Sequence, residues 1–285
     1  MKLPRGFDVG TATHTGWVRA NNEDDFLVGA LPVRSAASPR THGPLVCAIA
    51  DGMGGAAGGA EASRIALRAL GTALLDGESP DPLDRRLQRG FQAASERVFT
   101  ESTSVPALRD MGTTLTSLCF EDGHAWLGHV GDTRAYRCHD GTCEQLTTDH
   151  AAREPENLLL RCIGGGKDHS EVDYDSFPVR AGERYLLVSD GVWSTVPDAT
   201  MARLVARGQA QVVAESLVAA ALAAGGPDNA TVLVVDVLDP AAKGGRDVDL
   251  PRDERPTGRE LWPRPVSLRA PVWPWVLMVV SGLLI

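Results

Sequence analysis

Short apolar runs, each closed by glycine, aspartate or proline, recur along the first 240 residues. Leu45–Ala50, Thr114–Phe120, Ala125–Val130, Tyr185–Ser189 and Thr231–Leu238 have the length and boundaries of β-strands. The runs Leu115–Glu121 and His124–Val130 meet at Asp122-Gly123, a two-residue hairpin signal, and a second hairpin is expected at Asp140-Gly141. Sequential hairpins imply antiparallel sheet. Other blocks carry helical spacing. Ile65, Ala69, Leu70, Ala73 and Leu74 share one face between Gly59 and Leu75, and Leu83, Leu87, Phe91, Ala94 and Val98 do the same after Pro82. Met201 to Ala224, rich in Ala, Leu and Val, reads as a third helical block. Strands and helices fall in separate groups, which predicts an α+β layout rather than βαβ winding.

The pattern stops at Pro240. Residues 241–270 are rich in Pro, Gly, Arg and Asp without periodic apolar positions, and read as a flexible linker after a folded domain over residues 1–240. Residues 271–285 are uncharged and apolar, with Trp273 and Trp275 suited to a membrane interface. They fall short of the roughly 20 residues that a full span needs. The tail is therefore read first as the start of a transmembrane helix, with a shallow anchor or a partner-docking segment as alternatives. The arginines at 252, 255, 259, 264 and 269 would keep the preceding domain on the cytoplasmic side. Met1 to Gly10 holds no apolar stretch resembling a secretory signal, so the domain is expected in the cytoplasm.

Charge narrows the function classes. The formal net charge is −9; the segment from Ala241 holds seven Lys/Arg against five Asp/Glu, a net of +2, which leaves −11 for residues 1–240. An acidic body argues against nucleic acid, whose binding needs phosphate-neutralising cations. Part of that charge is ordinary solvated surface, and part suits a divalent cation. The five cysteines form no CxxC pair and no cluster with histidine, which excludes a zinc site. Cys138 and Cys143 flank the Asp140-Gly141 turn and could face each other, but the spacing is read as a chance pair with reduced thiols.

The acids sit where strands begin and end. Asp51-Gly52-Met53-Gly54-Gly55 closes one apolar strand, Ser189-Asp190-Gly191 closes another, and Gly226-Pro227-Asp228-Asn229 precedes the last. Asn22-Glu23-Asp24-Asp25 stands just before Phe26-Leu27-Val28. A single Asp-Gly is usually a turn. Four acidic groups at strand ends, in a chain without a His/Cys cluster, point to hard cations with oxygen ligands, magnesium or manganese. The other conspicuous side chains read as structural: His150 as a hydrogen-bonder, His14 and His129 as sheet residues, Trp126 and Trp193 as core.

In order along the chain stand Thr13-Xaa-Thr15-Gly16-Xaa-Val18-Arg19-Xaa-Xaa-Asn22-Glu23-Asp24, Asp51-Gly52-Met53-Gly54-Gly55, Met111-Gly112-Thr113-Thr114, Gly131-Asp132-Thr133-Arg134, Leu146-Thr147-Thr148-Asp149-His150, Ser189-Asp190-Gly191 and Gly226-Pro227-Asp228-Asn229. Over roughly residues 6–238 the chain resembles the metal-dependent protein phosphatases of the 2C type, in their bacterial form. The resemblance implies a four-layer α-β-β-α sandwich of two antiparallel sheets flanked by helices, with two Mn²⁺ or Mg²⁺ ions between the sheets. It implies that Asp51 bridges both ions, that the Gly52 carbonyl binds one, and that Asp190 and Asp228 complete the other. Glu23 and Asp24 would act directly or through water, and Asp132 would serve a third, weaker ion. Arg19 matches the phosphate-binding arginine, a role its planar fork suits, and Asn229 would steady Asp228. Met53 stands where some members carry a histidine suited to protonating the leaving group, so a metal-bound water would do so here. Only about ten residues separate Asp149-His150 from Leu160-Arg161-Cys162-Ile163-Gly164, so the helical flap of this family must be short.

The implied activity is hydrolysis of phosphoserine or phosphothreonine in phosphoproteins, opposing a Ser/Thr kinase. The competing readings are a pseudophosphatase that binds phosphoproteins without turnover, or a signalling scaffold recruited to a membrane by its tail. No ligand aspartate is missing from the set, which weighs against the pseudophosphatase.

Overall fold

The computed structural model describes residues 2–30, 43–76, 79–152, 158–240, 242 and 245–247. In chain order the strands are β1 (Lys2–Pro4), β2 (Phe7–His14), β3 (Asp24–Ala30), β4 (Leu45–Met53), β5 (Gly112–Thr113), β6 (Leu115–Glu121), β7 (His124–Val130), β8 (Arg134–His139), β9 (Thr142–Gln145), β10 (Ile163–Gly164), β11 (Asp173–Pro178), β12 (Arg184–Val188), β13 (Ala230–Val237) and β14 (Gly245–Asp247). The helices are α1 (Gly55–Leu74), α2 (Leu83–Ser104), α3 (Asp190–Trp193), α4 (Asp198–Val205) and α5 (Ala210–Ala223).

One sheet runs β10-β5-β4-β6-β7-β11, with β3 also paired to β4; the other runs β2-β13-β12-β8-β9. Every pairing in both is antiparallel, as the hairpin signals predict. Asp122 and Asp140 take positive φ, 48° and 49°, followed by Gly123 and Gly141 at 78° and 79°, the backbone that two-residue hairpins require.

Strand β4 shows why its sequence is apolar at every position. Cys47 and Ile49 point between the sheets with Val28, Leu118, Phe120, Tyr185, Leu187 and Leu233. The alternate residues Val46, Ala48 and Ala50 face α1 and α2, where they meet Ala66, Leu70, Leu87 and Phe91. The second sheet repeats the arrangement, its Leu186, Val188, Val232 and Val234 packing on Val213, Leu217 and Val218 of α5. The result is the expected α-β-β-α sandwich. Each fully buried large side chain contributes about 1.5–3 kcal/mol, so three such layers supply most of what holds the domain together.

Three expectations change. The single helical block over Met201–Ala224 is two helices, α4 and α5, separated at Arg207-Gly208-Gln209, because Gly208 at φ 105° stops the first. Helix α1 begins at Gly55, before the expected Gly59, since proximity to β4 outweighs the weak helix propensity of its glycines. Cys138 and Cys143 are not a chance pair of thiols: they form a disulfide, with Cα atoms 4.0 Å apart, because the β8–β9 register sets them directly opposite each other. Cys47, Cys119 and Cys162 are free.

Gly245–Asp247, inside the stretch expected as linker, pairs with Lys2–Pro4. The apolar tail, residues 271–285, lies outside the described residues. Among the described residues no helix is long and apolar enough to cross a membrane.

Candidate active site

Antiparallel pairing collects the ends of β4, β7 and β12 and the starts of β3, β8 and β13 at one pole of the sandwich. Each acid picked out in the sequence sits at or next to one of these termini. A cavity of about 550 Å³ opens there, and Arg19, Glu23, Asp51, Asp132, Asp190 and Asp228 line it together with Gly52 and Asn229. Five carboxylates thus share one cavity with one guanidinium.

The Asp-Gly pairs have a packing cause rather than a turn cause. A Cβ on Gly52 would stand 2.1 Å from the Gly59 carbonyl oxygen, and one on Gly191 would stand 2.0 Å from that of Asn229. Glycine lets β4 lie against α1, and α3 against the start of β13, so that Asp51 and Asp190 reach the same space. Asp51 is also gripped through its backbone. Its N–H donates to Thr114 Oγ1 (2.9 Å), and its carbonyl accepts from Thr114 N–H (2.8 Å) and Thr113 Oγ1 (2.9 Å).

Crowding acids into a low-dielectric space raises their affinity for protons or cations. Burial, then the charges of Asp24, Asp190, Asp132 and Asp228, hold Asp51 well above the usual carboxylate range. Asp190 is pushed up by burial and by Asp228, against a hydrogen bond with Asp51. Burial and Asp190 push Asp132 up to about 7. Glu23 is raised chiefly by burial.

Asp24 lies beneath this cavity rather than on its wall. It is the register partner of Asp51 across β3–β4, it is buried, and its Oδ2 accepts from Ser189 Oγ at 2.7 Å. Its Oδ1 is buried without a hydrogen-bond partner among the described residues, and burial pushes its pKa up to about 7. An unpartnered buried carboxylate oxygen is costly, and a proton or a cation relieves it.

Arg19 is more than half exposed at the cavity mouth, where its Nη2 pairs with Asp228 Oδ2 at 2.6 Å. Asn229 acts on a different group from the one expected. Its Oδ1 accepts from the Glu23 N–H (2.8 Å), while its Nδ2 donates to the Thr15 and Asn21 carbonyls (2.8 and 2.9 Å). The side chain therefore clamps the 15–23 loop that carries Arg19 and Glu23, and only the Asn229 backbone N–H reaches Asp228 Oδ1 (2.8 Å).

Trp193 does more than fill core. Its Nε1 donates to the Asp132 carbonyl at 2.9 Å, and the Arg134 guanidinium stacks 3.5 Å from its ring centroid while chelating Asp149. His150 accepts the Gly131 N–H through Nδ1 and donates its own backbone N–H to the Gly131 carbonyl. Buried His129, pushed down to about 4 by burial, meets Thr116 Oγ1 and the Thr148 carbonyl. These residues fix the Gly131-Asp132 turn from behind.

The donors fit hard cations: oxygen atoms only, excess negative charge, and an orphaned carboxylate oxygen at Asp24. Among the described residues, no three His, Cys, Asp or Glu side chains are gathered closely enough to hold an ion as they stand. Asp51 and Asp190 face each other and Asp228 faces Arg19, so loading requires these side chains to exchange protein partners for the ion.

A family model described as protein phosphatase 2C matches residues 22–224. The chain is 35% identical over 242 residues to the serine/threonine protein phosphatase PstP of Mycobacterium tuberculosis, covering 79% of this chain and 44% of that protein. It therefore spans less than half of that relative's length. It is 30% identical over 250 residues to the serine/threonine phosphatase stp of Listeria monocytogenes, covering 79% of this chain and 93% of that one. Among solved structures, the catalytic domain of PstP in complex with two manganese ions matches with a TM-score of 0.69 and 33% identity, over 82% of this chain and 99% of that one. The family model spans residues 22–224 and the solved relatives share the fold, and the chain belongs to the protein phosphatase 2C family.

Proposed function

We propose that the chain hydrolyses phosphoserine and phosphothreonine in phosphoproteins, at a binuclear Mn²⁺ or Mg²⁺ centre held in this cavity. One observation carries the reading: five carboxylates and one arginine line a single cavity at one pole of the fold. Asp51, Asp190 and Asp228, with the Gly52 carbonyl and with Glu23 and Asp24 directly or through water, would hold the two ions. Asp132 would serve a third, weaker one. Bound there, the ions supply an activated water and neutralise charge on the phosphoryl oxygens.

The chain's own residues do the positioning. Arg19 presents its fork at the mouth, and its exposed pair with Asp228 is weak enough for a dianionic phosphate to displace. Asn229 keeps Arg19 and Glu23 in register with Asp228. In the overall reaction water adds to phosphorus, the P–O bond to the serine or threonine oxygen breaks, and that oxygen takes a proton to leave as the alcohol. Met53 lines the cavity but offers no proton, so no side chain at that position protonates the leaving oxygen. Enzymes that remove this mark act opposite a Ser/Thr kinase, and we assign such a kinase as the counterpart.

The test is hydrolysis of p-nitrophenyl phosphate by the purified chain, with Mn²⁺ and with chelator, alongside Asp51→Asn. The reading requires turnover that depends on Mn²⁺ and on Asp51. Manganese-independent turnover shared by both proteins overturns it.

A further inference from the structure

Two of the most exposed large apolar residues of the described chain are consecutive and immediately precede Arg19. Trp17 is 58% exposed and Val18 is 72% exposed. The indole is nevertheless held in place. Trp17 N–H donates to the Gly226 carbonyl (2.7 Å), its Nε1 donates to the Leu222 carbonyl (3.1 Å), and its ring lies edge-on to His14, centroids 5.0 Å apart. Its polar atom is satisfied inward while most of the residue stays in water. A fixed, exposed aromatic surface next to a binding residue marks a contact site.

We propose that Trp17 and Val18 form an apolar shelf that receives an apolar side chain of the phosphoprotein substrate, close in sequence to the phosphorylated serine or threonine. This rests on the phosphatase reading above and names the kind of substrate that the site prefers. Trp17 N–H is bonded to the Gly226 carbonyl, two residues before Asp228, which lines the cavity and pairs with Arg19, so the shelf adjoins the cavity mouth. A phosphorylated side chain that reaches Arg19 brings its neighbouring residues past that border. The mouth has a second apolar border, since Leu158 lines the same cavity and Leu158 and Leu160 are 52% and 59% exposed.

The experiment measures kcat/KM with Mn²⁺ for two phosphothreonine peptides that differ only in the residues flanking the phosphothreonine, leucine in one and the uncharged, similarly shaped asparagine in the other. The substrate p-nitrophenyl phosphate, which has no flanks, is measured beside them. Wild type should prefer the leucine peptide by about 10-fold, the scale of one apolar group in a hydrophobic contact. Val18→Ser, and separately Trp17→Ala, should bring that ratio close to 1. Val18→Ser should leave p-nitrophenyl phosphate hydrolysis unchanged. Absence of a preference in wild type overturns the shelf. An equal loss on all three substrates in Val18→Ser also overturns it, because that is a structural role. A wild-type dimer that Val18→Ser dissociates assigns the surface to a second copy of the chain instead. If wild type hydrolyses none of the three, the phosphatase reading itself fails and the shelf falls with it.

Discussion

Asn229→Ala removes the side chain that ties the 15–23 loop to the start of β13. Asn229 is buried and makes three side-chain hydrogen bonds of 2.8–2.9 Å, to the Glu23 N–H and the Thr15 and Asn21 carbonyls. Each contributes about 1 kcal/mol net, so the loss is about 3 kcal/mol, less whatever the freed backbone groups recover from water. For a domain of this size that is a drop in Tm of roughly 6–12 °C. The functional loss should be larger than the thermal one implies. Arg19 and Glu23 ride on the released loop, and a displacement near 1 Å at a reacting site costs on the order of 100-fold. Asn229→Asp sharpens the test. It keeps an acceptor for the Glu23 N–H but turns oxygen toward two carbonyls, so it should be at least as damaging as alanine. The assay is thermal unfolding without metal, with kcat/KM on p-nitrophenyl phosphate measured below both transitions. If both variants unfold within about 0.5 kcal/mol of wild type and keep full kcat/KM, the clamp is not what positions the loop.

The remaining predictions concern the metal pole. Gly52→Ala drives a Cβ into the Gly59 carbonyl, so it should cost at least the roughly 1–3 kcal/mol typical of overpacking and abolish Mn²⁺ binding by calorimetry; normal Mn²⁺ affinity would show that the contact is not limiting. Trp193→Phe keeps a ring for Arg134 to stack on but leaves the Asp132 carbonyl without its N–H donor, which should cost about 1–2 kcal/mol in urea unfolding; an unchanged midpoint would remove the indole from the support of the turn. Burial pushes the Asp24 and Asp132 carboxyls up to about 7 in the folded protein, against about 3.9 unfolded. A raised carboxyl pKa favours the folded state below the unfolded value, and that stability is lost as pH rises toward the folded value. The metal-free protein should therefore lose Tm between about pH 4 and 7, and Mn²⁺ should raise Tm more at pH 8 than at pH 5. A metal-free Tm that rises over that range contradicts the assignment.

The sandwich was legible because its signals are local. Strand β4 is apolar on both faces because both are covered, and Asp122-Gly123 and Asp140-Gly141 specify hairpins with no help from the rest of the chain. Glu23, Asp51, Asp190 and Asp228 were legible as strand-end carboxylates, and Asp132 only through the family resemblance. What each neighbour does was not. Whether Asp24 faces the cavity or the space beneath it depends on its register with Asp51, which no spacing encodes. Asn229 looked like a support for Asp228 because it is adjacent in sequence, yet its partners lie more than 200 positions away in the chain. Trp193 read as core because half of its job is packing; the N–H bond to Asp132 appears only once α3 and the Gly131 turn are brought together. The Cys138–Cys143 disulfide follows from the hairpin register, which sets the two residues directly opposite each other, whatever the compartment suggests about free thiols.

The central claim is that the carboxylate pole, loaded with metal, cleaves phosphate from phosphoserine and phosphothreonine. Release of inorganic phosphate from a phosphothreonine peptide, followed as Mn²⁺ is titrated into chelator-treated wild type and Asp51→Asn, tests it most directly. The account predicts saturable, Mn²⁺-dependent release by wild type, and a rate at least about 100-fold lower for Asp51→Asn at every Mn²⁺ concentration. Equal release by the two proteins, or release by wild type that ignores Mn²⁺, would contradict it.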